Sequence, residues 1–301
     1  MSPYDAEQAG GGPSLARVRT GSPELDTILG GGFPADSINV LMGAPGTGKT
    51  ILAQQLVFHN ASAERPAVYL TTVSEPLPKV VRYLQHFGFY DEEKLFGAIT
   101  YEDLGPALLE QGVEHLTERV RQLIQEAGPA VLVIDSFKAL HDLAESPLEM
   151  RRVASELGGL LSAYDVTTFL VGEYGPEAAG EYPEFAVADG ILELTRLGSA
   201  KRDERHLRVR KLRGSGYRQG MHAFSLGPEG IAVFPRLVTP DAPVEYSARL
   251  ERTTTGIEGL DTLLGGGLWA GSATLVVGAG GAGKTTLGLG FALAGPAVGE
   301  P

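Results

Sequence analysis

The chain has 301 residues, of which 43% are hydrophobic and 21% are charged, and its formal net charge is −12. This composition is typical of a globular protein with one large or two smaller domains, and the acidic excess argues against bulk electrostatic binding of nucleic acid or anionic membrane. The absence of cysteine excludes disulfides and thiolate metal sites and is compatible with a reducing cytoplasm, where we expect the protein.

The N-terminal segment, residues 1–17, contains three consecutive glycines before Pro13 and no apolar core. A signal peptide and a membrane span both require such a core. We therefore expect this segment to be a flexible lead.

Residues 43–50 have the spacing of a phosphate-binding loop, Gly-x-x-x-x-Gly-Lys-Thr. Apolar residues predict a strand over 38–42 and a helix over 51–58, which is the setting that the motif needs. The loop N–H groups and the positive end of the helix would bind phosphates, Lys49 would reach the β- and γ-phosphates, and the Thr50 hydroxyl would bind Mg²⁺. The candidate phosphate-binding residues are Gly43, Ala44, Pro45, Gly46, Thr47, Gly48, Lys49 and Thr50.

The next part of the chain alternates between predicted strands and predicted helices. Strands are predicted over 67–72, 130–135 and 166–171, and helices over 79–87, 113–127 and 148–164. Four short strands with Gly-rich turns follow, over 191–195, 206–210, 221–225 and 231–233. The fold class predicted is α/β, with a mainly parallel central sheet flanked by helices and an antiparallel C-terminal edge.

Asp135 ends the apolar run over 130–135. A carboxylate at the tip of a strand beside the phosphate-loop strand is well placed to hold the Mg²⁺ shell, and we favour this role. The alternative is that Asp135 or Ser136 caps the helix that follows.

Hydrolysis also needs a group that orients or deprotonates the attacking water. Glu75, after the strand over 67–72, is the best candidate; its alternative role is a first-turn acid that complements the dipole of the next helix. Glu173, after the strand over 166–171, either senses the γ-phosphate or is an ordinary loop acid, and the sequence does not separate the two.

A basic cluster over 196–213 interrupts the acidic chain. It is either a solvated hairpin balanced by Asp203 and Glu204 or a functional surface. Within it, Lys211 and Arg213 occupy alternate positions, and two such cations are more natural reaching across a subunit interface to a phosphate than left unpaired within one subunit. The alternative is a pair of surface strand residues.

An internal repeat organises the chain. The segment over 20–33, with Leu25-Asp26 and a glycine triplet, returns over 255–268, and the same offset of 235 residues carries Lys49 onto Lys284. The second phosphate loop supplies Gly278, Gly283, Lys284 and Thr285 as further candidate phosphate-binding residues. A period this long implies tandem domains, over 18–237 and 253–301, joined by a linker over 238–252.

Together these motifs resemble the KaiC-like branch of RecA-type ATPases. The resemblance rests on the repeated leader, the phosphate loop, the strand ending at Asp135, the Lys-Leu-Arg-Gly segment over 211–214 and the last segment of the first domain, over 231–235. It implies ATP with Mg²⁺ at Lys49, Thr50 and Asp135, a homo-oligomer that is commonly a hexameric ring, and Lys211 and Arg213 acting on ATP bound by the neighbouring subunit. Regulatory protein partners are compatible with it.

The chain departs from the family pattern in two respects. The family usually has paired glutamates where this chain has Val73-Ser74-Glu75, and the second copy includes only the start of a domain, without a second strand ending in Asp or the region of KaiC-type autophosphorylation. We therefore expect an ATPase rather than a kinase, with residues 253–301 poorly stable alone. Two alternatives remain: a DNA-dependent recombinase or helicase motor, and an ATP-gated scaffold with little turnover.

Overall fold

A computed structural model describes residues 15–72, 77–199, 202–237 and 251–297. The chain divides into a larger unit within residues 6–237 and a smaller unit formed mainly by residues 238–301. Most of the predicted lead, residues 238–250 of the predicted linker and Glu75 lie outside the described residues.

A nine-stranded sheet forms the centre of the larger unit. The strands of this unit are β1 Arg17–Val18, β2 Phe33–Pro34, β3 Ile38–Gly43, β4 Ala67–Thr71, β5 Ile99–Asp103, β6 Val131–Asp135, β7 Thr167–Glu173, β8 Gly190–Ser199, β9 Arg202–Leu212, β10 His222–Gly227 and β11 Gly230–Phe234. The sheet order is β11-β10-β9-β8-β3-β7-β6-β4-β5, while β1 and β2 form a separate ribbon. The six strands β8, β3, β7, β6, β4 and β5 are parallel to their neighbours in this part of the sheet, whereas β9, β10 and β11 join it through antiparallel pairs. This arrangement confirms the predicted fold class.

Helices cover both faces of the sheet. They are α1 Pro23–Ile28, α2 Lys49–Asn60, α3 Leu77–Leu84, α4 Glu92–Gly97, α5 Gly105–Gln111, α6 His115–Ala127, α7 Leu140–Leu143, α8 Pro147–Leu161 and α9 Glu184–Val187. Alternate residues of β3 point to opposite faces, so that Leu41 packs in the cluster with α2, and Val40 and Met42 pack in the cluster with α6 and α8. Both faces of the parallel strands are therefore buried, as their continuous apolar runs predict.

Three elements between β4 and α6 were not predicted: α4, β5 and α5. Strand β5 has the sequence Ile-Thr-Tyr-Glu-Asp at the sheet edge, where only Ile99 is buried, so it lacks the apolar run of the central strands. The prediction that Asp135 lies on a strand beside the phosphate-loop strand was wrong, because β7 lies between β3 and β6. The helix predicted over 79–87 ends earlier, at Leu84.

The smaller unit contains a two-stranded ribbon and two helices. These are β12 Arg252–Thr253, α10 Glu258–Leu263, β13 Leu268–Trp269 and α11 Lys284–Ala297. Within the described residues of this unit, no strand is formed between β13 and α11. In neither unit does the described part include a helix of the length and apolar character that a membrane crossing requires.

Candidate functional site

The phosphate loop connects β3 to α2, and its three glycines all have positive φ: 150° at Gly43, 71° at Gly46 and 106° at Gly48. A Cβ atom on Gly43 would lie 2.1 Å from the carbonyl oxygen of Leu194, and one on Gly48 would lie 2.9 Å from Leu226 Cδ1. A Cβ atom on Gly46 would meet nothing within 4 Å. Packing against backbone thus requires glycine at Gly43, the positive φ favours glycine at Gly48, and the middle of the loop is open to a ligand.

Unpaired backbone donors surround this opening. Helix α2 begins without a side-chain cap, and Gly48 is its N-cap residue. Within the described part of the chain, the N–H groups of Gly46, Thr47 and Gly48 donate no hydrogen bond, whereas the Thr47 hydroxyl donates to the Ala44 carbonyl at 2.9 Å. Free N–H groups at a helix N-terminus form an anion site.

Lys49 is the cation of this loop, and only 6% of its surface is exposed. Its Nζ donates to the Ala44 carbonyl oxygen at 2.9 Å. Burial lowers the pKa of Lys49, while the nearby carboxylates of Glu173 and Asp135 act in the opposite direction. The loop therefore combines a buried ammonium group with free backbone donors, which is the arrangement that polyphosphate binding requires.

Asp135 meets the phosphate loop although β7 separates the two strands. Thr50 donates from Oγ1 to Asp135 Oδ2 at 2.9 Å, and Tyr69 donates from its hydroxyl to the same oxygen at 2.7 Å. Burial raises the pKa of Asp135, and the hydrogen bonds from Tyr69 and Thr50 oppose that shift. Asp135 is not the cap of the following 3₁₀ turn, whose N-cap residue is Ser136.

The oxygens of Thr50 and Asp135 fit a magnesium ion bound together with phosphates. Magnesium prefers oxygen ligands and usually takes one or two from the protein, and the remainder from water and phosphate. The described residues contain no group of three or more His, Cys, Asp or Glu side chains that could enclose a metal. The donor set therefore suits Mg²⁺ that arrives with a nucleotide.

Glu173 lies at this site, whereas the first choice, Glu75, is not among the described residues. Glu173 ends β7 in register with Gly43, and its side chain is exposed. It is the largest influence that opposes the lowered pKa of Lys49, and it contributes to the raised pKa of Asp135. The structure thus places Glu173 level with the first residue of the phosphate loop.

Lys211 and Arg213 are not brought to the phosphate loop of their own chain. Lys211 pairs with Ile191, which pairs with Val40, three residues before Gly43. Lys211 donates to the Ala188 carbonyl, and Arg213 follows the end of β9 and pairs with Asp189 at 3.3 Å. Burial and then Arg213 lower the pKa of Lys211, while Asp189 raises it. Lys211 is therefore level with the middle of β3 and Arg213 with its first residue, whereas the phosphate loop follows the last residue, Gly43.

The basic cluster over 196–213 forms the β8–β9 hairpin, and much of its charge is paired. Arg208 and Arg210 each approach the buried Glu193 carboxylate at 2.9 Å, and Arg196 pairs with Asp203. Burial raises the pKa of Glu193, but hydrogen bonds from Arg210 and Arg208 outweigh this effect and leave the pKa below its usual value. These ion pairs favour the interpretation as a balanced hairpin, although a buried Glu193, rather than Glu204, is the main partner.

The second phosphate loop lies at the start of α11 in the smaller unit. Gly283 has φ 80°, and Lys284 donates to the carbonyl oxygens of Gly278 and Ala279 at 2.8 and 2.7 Å. Within the described part of the chain, Thr285 has no hydrogen bond to a carboxylate comparable to that between Thr50 and Asp135. The second loop therefore presents the lysine but not the complete metal site.

The sequence interpretation did not identify Tyr69 as a residue of the site. Tyr69 is buried in β4 and stacks on Tyr101, whose hydroxyl donates to Gln54 of α2. A hydrophobic strand normally contains aromatic residues, so Tyr69 carries no motif signal. The available clue was a polar-tipped ring two residues before the end of a strand in the parallel sheet.

Comparisons with known proteins agree with this geometry. A family model described as "ATPase: KaiC" matches residues 18–238 and 253–301. The chain is 30% identical over 285 residues to the circadian clock oscillator protein KaiC of Picosynechococcus sp., covering 91% of this chain and 54% of that protein. It is also 30% identical over 289 residues to the KaiC protein of Prochlorococcus marinus subsp. pastoris, covering 91% and 55%. The chain spans about half the length of the curated relatives it matches.

A solved structure shows the same fold. The crystal structure of a KaiC-like protein from the hyperthermophilic archaeon Pyrococcus horikoshii matches with a TM-score of 0.65 and 27% identity, covering 74% of this chain and all of that one. The family match includes both phosphate loops, the Asp135 strand and the repeated leader. The chain therefore belongs to the KaiC family of RecA-type ATPases.

Proposed function

We propose that this protein binds ATP with Mg²⁺ at the loop over 43–50 and hydrolyses it. The observation that carries the proposal is the 2.9 Å hydrogen bond from Thr50 to Asp135, which joins the phosphate loop to the acid at the tip of β6. Because Lys49 and the free N–H groups lie in the same loop, one ligand with phosphates and a bound cation would satisfy all of them.

Each group of the site has a distinct part in this proposal. Lys49 and the loop N–H groups would neutralise the phosphates and hold them in line for attack. Thr50 and Asp135 would hold Mg²⁺, which supplies charge neutralisation on the phosphate oxygens when it is bound. Glu75 would orient the attacking water, and Glu173, beside Lys49, would sense the γ-phosphate.

Completion of the site requires a second subunit. Lys211 and Arg213 lie level with residues of β3 that precede their own phosphate loop, and Arg213 is largely exposed beside Asp189. We propose a cytoplasmic ring, a hexamer by resemblance, in which these two cations reach ATP held by the neighbouring chain. The functional ATPase unit would then be residues 18–237, with residues 253–301 beginning a second unit.

Turnover and subunit mixing test this proposal. ATP hydrolysis should require Mg²⁺. Lys49→Ala should lower it on the order of 100- to 1,000-fold, and Arg213→Ala on the order of 100-fold. Mixing the two variants should restore part of the activity, because some interfaces then pair an intact loop with an intact arginine. Sizing the protein with and without ATP on the same samples reports the assembly.

Different outcomes would contradict different parts. Unchanged turnover in Arg213→Ala would contradict the interface role, and tight ATP binding without turnover would leave a nucleotide-gated scaffold. Strong stimulation by single-stranded DNA that weakens with salt would favour a DNA motor instead. The pairing of Arg208 and Arg210 with Glu193 counts against that outcome, because it leaves less free positive charge on the hairpin.

A further inference from the structure

A buried tyrosine hydroxyl lies beneath the candidate metal-binding carboxylate. Tyr69 is 1% exposed, and its hydroxyl donates to Asp135 Oδ2 at 2.7 Å. The same oxygen accepts the hydroxyl of Thr50 at 2.9 Å. Within the described part of the chain no donor is hydrogen-bonded to Oδ1 of this carboxylate. Two hydroxyls thus donate to Oδ2 of the carboxylate, and Oδ1 is available to a ligand.

The sheet register explains how Tyr69 reaches Asp135. Strands β4 and β6 are parallel neighbours, with Tyr69 opposite Val133 and Thr71 opposite Asp135. Because alternate residues share a face, Val133 and Asp135 point to the same side of β6 as the Tyr69 ring does on β4. The long ring extends one pair further along the sheet, so that its hydroxyl meets the carboxylate at the strand tip.

The ring itself is fixed by the surrounding core. Tyr69 stacks on Tyr101 with centroids 5.2 Å apart, and the Tyr101 hydroxyl donates to Gln54 on α2. Gln54 is buried, and α2 is the helix that begins at Lys49. The Tyr69 hydroxyl therefore cannot turn to solvent, and the carboxylate is its hydrogen-bond acceptor.

We infer that Tyr69 is a positioning residue that orients the Asp135 carboxylate for Mg²⁺. The inference rests on the proposed function, since it concerns the same ATP and magnesium site. Thr50 is itself a candidate magnesium ligand, whereas the Tyr69 hydroxyl is buried in the core and donates to the carboxylate from there. A partner that hydrogen-bonds a metal-binding carboxylate fixes its orientation, and the loss of such a partner commonly lowers metal affinity 10- to 100-fold.

The test compares two hydroxyl deletions in the full-length chain. Tyr69→Phe removes the hydroxyl that donates to Asp135 and keeps the ring, whereas Tyr101→Phe removes a neighbouring hydroxyl that donates to Gln54 instead. The readout is the affinity for a fluorescent ATP analogue, titrated with Mg²⁺ and repeated in EDTA. The quantity compared is the Mg²⁺ concentration that gives half of the magnesium-dependent gain in nucleotide affinity. We expect this concentration to rise about 10-fold in Tyr69→Phe and to stay within about twofold of the unmodified protein in Tyr101→Phe. Affinity in EDTA should be unchanged in both.

The outcomes distinguish failure of this inference from failure of the proposed magnesium site. If the unmodified protein gains affinity with Mg²⁺ and Tyr69→Phe behaves identically, or if both variants shift equally, Tyr69 has only a packing role. If the unmodified protein shows no effect of Mg²⁺, the metal site itself is wrong and the inference fails with it. A second measurement needs no variant: in protein with labelled tyrosine, the slowly exchanging Tyr69 hydroxyl proton should shift when Mg²⁺ is added to the ATP-bound form. An unchanged resonance would overturn the inference.

Discussion

The larger and smaller units contain the same leader segment, and both fold it in the same way. The glycine triplet over 30–32 has φ values of 71°, 112° and 113°, and the triplet over 265–267 has 70°, 111° and 103°. Thr20 donates at 2.8 Å to the aspartate six residues later, and Thr255 does the same at 2.6 Å. The two ribbons, β1–β2 and β12–β13, also occupy corresponding positions.

The segments that follow the two leaders differ. In the larger unit, β3 is buried along its whole length between β7 and β8. In the smaller unit the corresponding run forms no strand in the described residues, and Leu275 and Val277 are 87% and 82% exposed. Similar apolar sequences thus have different structures, because strand β3 has neighbours to pair with and the second run has none among the described residues.

This contrast separates local from non-local control of the fold. In both copies the leader has glycines with positive φ and a hydrogen bond from a threonine to the aspartate six residues later. In the larger unit it also has distant partners, such as Ser215 for the Leu29 carbonyl. A parallel strand needs partners that are distant in the sequence, such as Phe169 and Ile191 for β3. The two phosphate loops, which follow these runs, should differ in consequence.

The largest difference is expected between the lysines of the two phosphate loops. Lys49→Ala should lower ATP turnover on the order of 100- to 1,000-fold, because the buried ammonium beside Asp135 and Glu173 would be lost from the phosphate site. Lys284→Ala should leave turnover within about twofold, since the second loop shows no carboxylate partner for Thr285 in the described part of the chain. Steady-state hydrolysis by both variants measures the difference, and equal losses would mean that both loops are catalytic.

A second contrast concerns the apolar runs before the loops. Leu41→Ala should destabilise the larger unit by about 3 kcal/mol, since Leu41 is fully buried and its removal leaves a cavity. Leu275→Ala, the same chemical change at an exposed residue, should cost less than about 0.5 kcal/mol. Urea unfolding followed by circular dichroism gives both values. A large loss in Leu275→Ala would show that this run is covered in solution.

The first glycine of each loop offers a third comparison. Gly43→Ala should destabilise the larger unit by about 2 kcal/mol, because its Cβ would lie 2.1 Å from the Leu194 carbonyl oxygen. The nearest atom to a Cβ on Gly278 is Ala282 Cβ at 3.3 Å, so Gly278→Ala should have little effect. Thermal unfolding should show a fall of about 4–8 °C for Gly43→Ala alone. Similar melting temperatures for the two variants would contradict the tight packing around Gly43.

The smallest effect is expected where the two copies agree. Thr20→Val and Thr255→Val each remove one buried hydroxyl that bonds an aspartate in the leader. Each should cost its own leader about 1 kcal/mol, seen as about fivefold faster amide hydrogen exchange in α1 or α10. The change should be confined to the copy that carries the substitution. Faster exchange in only one of the two variants would show that the two leaders are not equivalent.

Much of the fold could be predicted because its signals are periodic or local. The central strands are continuous apolar runs, and α6 and α8 have the spacing of amphipathic helices. The edge strand β5 was missed because its residues are mixed in character and only partly buried. The position of β7 between β3 and β6 was not predictable either, since the burial pattern of a strand does not specify its neighbours.

The phosphate loop, the repeat, the α/β class and the acid at the end of β6 could all be predicted from the sequence. These depend on backbone conformations and patterns that lie within a few neighbouring residues. Three features follow from the pairing of distant segments in the folded chain. Thr50 and Tyr69 donate to one oxygen of Asp135, Glu173 is in register with Gly43, and Lys211 is level with the middle of β3. The contact between Tyr69 and Asp135 joins residues 66 positions apart, and only the pairing of β4 with β6 brings them together.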